Sequence, residues 1–244
     1  MSPSLEPTAP QTSNVALVPK EYAHQKDLEA IITRYRTLRL RGLKENPDAF
    51  SSKYEDEVEF PYEKWLARVT NPQARSFIAY DDQTDHSLDS LALLLSREWL
   101  GTVTIVGPRL LPEDNKTLSK APWDVFSLTD ERVLLKEESR YATLVFMLGG
   151  MYVLEAGRRK GNGRRLIERA VSEVRTEATE AGASRVLVVS IVERNNDAAR
   201  RLYETCSFDV WGDELVLQIP QHQECVGMVL DLRLEGRSPD GLER

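Results

Sequence analysis

The chain has 244 residues, of which 41% are hydrophobic, 7% aromatic and 29% charged, a composition that excludes disordered, collagen-like and membrane chains and fits an ordinary folded protein of one large domain or two small ones. The formal charge is −7, so the molecule as a whole repels polyanions and any anion site has to be made locally. Only Cys206 and Cys225 are present, without CxxC or Cys/His spacing, which excludes a secreted disulfide framework and a zinc finger.

Residues 1–13 are rich in Pro, Ser and Thr and are expected to form a disordered tail; they lack the apolar core of a signal peptide. A cytoplasmic protein, cytosolic or nuclear and not secreted, is therefore expected. One domain is expected over 14–235, with a flexible tail at 236–244. Asn14 to Val18 reads as a first strand. Asp27 to Leu43 places Leu28, Ile31, Ile32, Tyr35 and Leu38 at helical intervals, with Arg34, Arg36, Arg39 and Arg41 on the polar face. Asn46-Pro47 stops this helix, because the residue before proline is pushed out of the α region. The acidic stretch Glu55, Asp56, Glu57 and Glu59 reads as a solvated charge run, and Pro61 to Val69, with Trp65, as a short helix opened by proline. Phe77 to Tyr80 and Trp99 to Val106 are expected as antiparallel strands, while Leu91 to Leu95 fits strand or helix equally. Gly107-Pro108 is expected to end the second strand, and 109–140 to be an insertion of the kind that often shapes a substrate site.

Ala142 to Leu154 is almost wholly apolar but falls short of the roughly 20 residues a membrane helix needs, so it reads as a buried strand. A helix from Gly161, ended by Gly182, is expected next, from the spacing of Leu166, Ile167, Ala170, Val171, Val174, Ala178 and Ala181. Val186 to Val192 then reads as a buried strand, which makes the trio a right-handed parallel crossover. A helix from Asn196 to about Thr205 follows, and Val226 to Leu234 closes the sheet.

The segment Arg158-Arg159-Lys160-Gly161-Asn162-Gly163-Arg164-Arg165 joins strand to helix with five cationic side chains in eight residues. A Gly-x-Gly turn there gathers backbone N–H groups at the positive end of a helix dipole, which suits a pyrophosphate. The competing reading is a solvated basic face with the glycines serving only a turn. A dinucleotide fingerprint would need glycine where Leu166 stands, and a P-loop needs Gly-Lys-Ser/Thr, absent here. His24, His86 and His222 are scattered, so neither a triad nor a metal site is expected, and Cys206 reads as a structural cysteine.

Arg158, Gly161 and Gly163 match an Arg/Gln-x-x-Gly-x-Gly/Ala loop, and Asn196 to Phe208 follows the pattern Asn-x-x-Ala-x-x-Leu-Tyr-x-x-x-Gly-Phe, with Ser207 in place of the glycine. By these two motifs in order, and a weaker echo at Leu40 to Phe50, the sequence resembles the GNAT superfamily of acetyl-CoA-dependent N-acetyltransferases. The likeness is firm over 142–212, loose over 14–106 and absent over 109–140. It implies an α/β fold with a central mixed, mostly antiparallel sheet, a splayed parallel strand pair and helices on both faces. It implies acetyl-CoA as cosubstrate and no metal. Tyr152 and Val153 would offer backbone contacts to the cofactor arm, and Arg158, Arg159, Lys160, Gly161, Asn162 and Gly163 with Arg164 would hold the pyrophosphate. Asn196 would face the arm, and Tyr203 would sit beside the thioester sulfur as general acid. The acceptor would be a primary amine on a small molecule or a protein, served by a monomer or homodimer away from any membrane.

The expected chemistry is attack of a neutral amine on the thioester, with the tyrosine protonating the departing thiolate: a phenol of pKa about 10 can serve a thiol of about 8.5. No base can be identified; Glu98, Glu131 and Glu155 read as surface carboxylates. Two alternatives compete with the enzyme reading. A non-catalytic CoA-binding or interaction module would bind without turnover, and a nucleic-acid binder using 158–165 would show steep salt dependence.

Overall fold

The computed structural model describes residues 14–50, 52–81, 88–111, 121–127, 136–211 and 224–234. In chain order the elements are β1 (Val15–Leu17), α1 (Gln25–Glu45), α2 (Tyr54–Val58), α3 (Tyr62–Thr70), β2 (Ala74–Tyr80), α4 (Ser90–Ser96), β3 (Trp99–Leu110), α5 (Lys136–Ser139), β4 (Thr143–Val153), α6 (Asn162–Glu180), β5 (Arg185–Glu193), α7 (Asp197–Thr205), β6 (Asp209–Val210) and β7 (Cys225–Arg233). The strands form one sheet in the order β1-β2-β3-β4-β5-β7-β6. All neighbours are antiparallel except β4 and β5, which α6 connects. The fold is thus the mixed, mostly antiparallel α/β sheet with helices on both faces that the sequence implies.

Strand alternation divides the core into two faces. On one, Phe77, Ile105, Phe146, Leu148 and Val188 pack against Leu166, Ile167, Ala170 and Val174 of α6 and Tyr203 of α7. On the other, Ile78 and Tyr152 meet Ile31, Ile32 and Leu38 of α1 and Trp65 of α3. Further along that second face, Val145, Leu187, Val189 and Val229 are covered by Ala121, Trp123 and Val125. Trp123 and Val125 belong to a 3-10 turn, Pro122–Phe126, in the β3–β4 connection, and Ala121 caps it. Trp123 lies so close over Gly227 of β7 that a Cβ there would overlap its ring. The middle of the insertion is therefore part of the core.

Two local expectations are corrected, and one that the sequence leaves open is decided. Gly107-Pro108 does not end β3: pairing with β4 resumes at Arg109↔Val145 after an irregularity beyond Val106↔Met147, and a proline is tolerated where the ladder is already interrupted. The acidic stretch is not simply solvated. It folds as α2, and Glu57 is 1% exposed. Leu91 to Leu95 is helical, within α4, whose N-cap Asp89 accepts from the Ala92 N–H at 2.8 Å. The two tails and the parts 112–120 and 128–135 of the insertion lie outside the described residues.

Candidate functional site

Parallel pairing of β4 with β5 runs from Thr143↔Arg185 to Met147↔Val189 and stops there. On their outer sides, β3 follows β4 as far as Val153 and β7 follows β5 as far as Glu193. A wedge therefore opens between Leu148–Val153 and Ser190–Glu193. At its mouth β4 bulges: between Thr104↔Gly149 and Thr102↔Tyr152 it takes three steps against two on β3. Gly150 supplies the left-handed residue, at φ +61°. A Cβ on Gly149 or Gly150 would touch nothing within 4 Å, because both glycines border a cavity of about 460 Å³. Tyr35, Arg39, Phe50 and Arg68 stand at one side of this cavity, and Ile191, Glu193 and Cys225 at the other.

Beyond β4, a 3-10 turn at Glu155–Gly157 leads to the basic loop, and Gly161 caps α6 at φ +77°. The first N–H groups of a helix have no intrahelical acceptor, and here they lie among the exposed side chains of Arg158, Arg159, Lys160 and Arg164. Gly163 has a packing reason as well: a Cβ on it would lie 2.9 Å from Leu202 Cδ2 and 3.2 Å from Met151 Cε. A larger residue there would have to push these two side-chain ends aside. Arg158 donates from Nε to the Val153 carbonyl at 3.0 Å and from Nη2 to Asn46 Oδ1 at 3.3 Å. Arg164 is paired with Glu168 at 2.6 Å.

Asn162 is buried, and its side chain braces the loop. Its Nδ2 donates to the Gly157 carbonyl at 2.8 Å, while its Oδ1 accepts from Asn14 at 3.1 Å and Arg165 at 2.9 Å. What it has left for a ligand is its backbone N–H. The Asn196 side chain is likewise engaged, accepting from the Ala199 N–H at 3.0 Å as the α7 cap. Tyr152 pairs with Thr102 through its backbone. Its ring is buried against α1, and its hydroxyl donates to Glu45 Oε2 at 2.6 Å. Burial pushes this phenol up to about 12, helped by the Glu45 bond.

Tyr203 is 3% exposed, with its ring edge-on to Phe208 at 5.2 Å between centroids. Burial pushes its phenol up to about 12, against the pull of a hydrogen bond with Ser190. Ser190 is the first residue of β5 past the last pair with β4. The phenol thus meets the sheet where the strands part, from the α7 face, whereas the cavity lies on the α1 face.

Several residues of this region have no motif. Gly149-Gly150 inside an apolar strand is the one local signal, since paired glycines in a strand mark a bulge. The others converge only through tertiary structure. Glu57 accepts from Arg39 Nη2 at 2.8 Å and Nε at 3.1 Å, and from Arg68 Nη1 at 2.6 Å and Nη2 at 3.2 Å. Burial raises this carboxyl, but the two guanidiniums outweigh it and hold it at about 2. Glu98 and Glu155 are exposed and do not line the cavity; Glu131, His86 and His222 lie outside the described residues. Among the described residues no group of three or more His, Cys, Asp or Glu is placed to hold a metal. No described helix is long and apolar enough to cross a membrane.

Comparison with known proteins agrees with this geometry. Residues 125–208 match the acetyltransferase (GNAT) family. No curated protein sequence matches the chain. Among solved structures, the chain is similar to Arabidopsis thaliana NAA60 in complex with acetyl-CoA, at 18% identity over 89% of this chain and 98% of that one, with a TM-score of 0.50. It is also similar to spermidine N-acetyltransferase from Vibrio cholerae in complex with CoA and spermine, at 16% identity over 90% and 96% of the two chains, again with a TM-score of 0.50. Motif, wedge and match fall on the same segment, and over it the chain is similar to the acetyltransferase (GNAT) family.

Proposed function

We propose that this protein is an N-acetyltransferase that moves the acetyl group of acetyl-CoA directly onto a primary amine. The observation that carries the reading is the wedge between β4 and β5, with a basic glycine loop at one side and the Tyr203–Ser190 contact at its apex. The cofactor arm lies along the open edge of β4 at Tyr152 and Val153. Its pyrophosphate sits on the N-terminal amides of α6, with Arg158, Arg159, Lys160 and Arg164 around it. Arg158, held to Val153 and Asn46 in the free chain, re-aims onto the anion. Asn196 fixes the start of α7 and so the approach of Tyr203. The acetyl-CoA and CoA named for the two solved neighbours support this choice of cosubstrate.

Within that frame the amine attacks the thioester carbonyl, a tetrahedral oxyanion forms, the C–S bond breaks, and the Tyr203 hydroxyl protonates the thiolate. A phenol held at about 12 stays in its acid form throughout the working range of pH. Alignment of amine and thioester supplies much of the barrier reduction without a covalent enzyme intermediate.

A thermal-shift titration with acetyl-CoA, with NADH, ATP and a short DNA duplex as controls, tests the reading. At roughly 100 times its dissociation constant, a specific ligand adds about 2.7 kcal/mol. The expected result is stabilisation by acetyl-CoA alone, lost in the double variant Arg158→Glu with Gly163→Val. No effect of saturating acetyl-CoA overturns the acyltransferase reading, and a shift with duplex moves the basic loop to nucleic acid.

A further inference from the structure

The cavity beside the Gly149–Gly150 bulge is electrically divided. At the α1–α3 side, the single buried carboxylate of Glu57 faces the two guanidiniums of Arg39 and Arg68, which leaves one net positive charge. Arg39 spends Nε and Nη2 on Glu57, and Arg68 spends Nη1 and Nη2. Arg39 Nη1 and Arg68 Nε therefore have no carboxylate partner among the described residues, and both side chains line the cavity. The guanidiniums are also held in place by rings: Arg39 Cζ lies 4.8 Å from the centroid of Phe50, and Arg68 Cζ lies 5.0 Å from that of Phe60. Spare donors that are fixed before binding are what a carboxylate-recognising site requires.

Across the cavity stands Glu193, the last residue of β5, beside the open wedge. It has no salt-bridge partner among the described residues. Three strand steps separate β2, where α3 delivers Arg68, from β5; paired strands lie about 4.8 Å apart, and the last step crosses the open wedge, so the span exceeds roughly 14 Å. That length and the volume of about 460 Å³ suit an amino acid whose amine and carboxylate lie at opposite ends.

We propose that the acceptor is an amine carrying a carboxylate at its far end, with the carboxylate on Arg39 and Arg68 and the ammonium on Glu193. This rests on the acetyl-transfer reading above. Glu193 takes one proton from the ammonium, and the neutral nitrogen forms its bond to the acetyl carbon. The C–S bond then breaks, with its electron pair leaving on sulfur. Tyr203 protonates that sulfur and recovers a proton from the acetylated nitrogen, and Glu193 releases its proton to solvent. The products are the N-acetyl amino acid, CoA thiol and one proton.

The test compares matched acceptors on the full chain by thiol release. 6-Aminohexanoate is set against 6-aminohexanamide and hexylamine, with spermidine as a cationic control, while acetyl-CoA binding is followed separately by thermal shift. A site built to pair with a carboxylate discriminates strongly against analogues that lack it. The expected result is a kcat/KM at least about tenfold higher for the carboxylate, with the preference abolished in Arg68→Gln while acetyl-CoA still stabilises the variant. Glu193→Gln is expected to lower kcat at least about tenfold while acetyl-CoA still stabilises the variant. Equal rates across the matched acceptors, or preference for spermidine, overturn this inference and leave acetyl transfer intact. Acetyl-CoA binding without turnover of any amine overturns it as well. Failure of acetyl-CoA to bind overturns the underlying function. Because the matched-acceptor comparison is made on the unsubstituted chain, it stands even if Arg68→Gln fails to fold.

Discussion

Tyr203 joins fold and proposed chemistry in one side chain, since the burial that anchors α7 to the sheet also keeps its phenol protonated. Replacing it by phenylalanine keeps the ring contact with Phe208 and removes only the proton donor. Tyr203→Phe is expected to lower kcat about 100-fold, with little change in KM for acetyl-CoA. An undiminished kcat in steady-state assays would rule the phenol out as the acid. Tyr22, Tyr152 and Tyr203 are each pushed up to about 12, mainly by burial. Their unfolded counterparts ionise near 10, so stability is unaffected below pH 10 and falls as pH rises from about 10 to 12. An alkaline absorbance titration should show these three ionising only along with unfolding. Ser207 offers a smaller lesson: it stands at φ +66°, where the family pattern has glycine. The turn is kept, at a backbone cost of roughly 1–2 kcal/mol.

At the scale of elements, the β3–β4 connection and the β4 bulge do different work on the same face of the sheet. The turn at Pro122–Phe126 occupies the place of a covering helix, with Trp123 only 4% exposed over Gly227. Trp123→Ala removes the largest cover of that face and is expected to cost about 3–5 kcal/mol in urea unfolding. A loss below about 1 kcal/mol would mean that the insertion is an accessory loop. Beside this cover and α1, the bulge leaves Gly149 and Gly150 bare, so the face stays open there. Element limits were legible where apolar periodicity was long, as in α1, α6 and β5. They were not legible in α2, whose acidic sequence earns its helix only by placing Glu57 between two arginines.

For the whole molecule, charge is the informative quantity. A chain of net charge −7 concentrates cations at the loop 158–165 and again around Arg39 and Arg68, each made positive by local arrangement. Glu57 is the hinge of the second cluster, and its carboxyl is held at about 2 against an ordinary 4.5. The stabilisation it gives is complete above pH 4.5 and declines as pH falls toward 2, because the unfolded chain takes up the proton first. Glu57→Gln strands two partly buried guanidiniums and is expected to cost about 3 kcal/mol at neutral pH. Urea unfolding at pH 7, 4 and 3 should show the gap between wild type and variant narrowing with acid. A gap that stays constant would place the native carboxyl near its ordinary value.

The parallel crossover, the basic glycine loop and the tyrosine of α7 can all be read from the chain alone. Each of these is encoded locally: in the period of apolar residues, in glycines at one turn, and in a motif contained within a single helix. What lies between them depends on how distant segments pack. The wedge exists because β4 and β5 stop pairing after Met147↔Val189 while their outer neighbours hold on, a difference between ladders that no single strand contains. Arg39, Arg68 and Glu193 come from three elements far apart in the chain and meet around one cavity, with Glu57 of a fourth element buried against the two arginines. Their sequence environments mark each as an ordinary surface charge, and it is burial and mutual distance that make them a site.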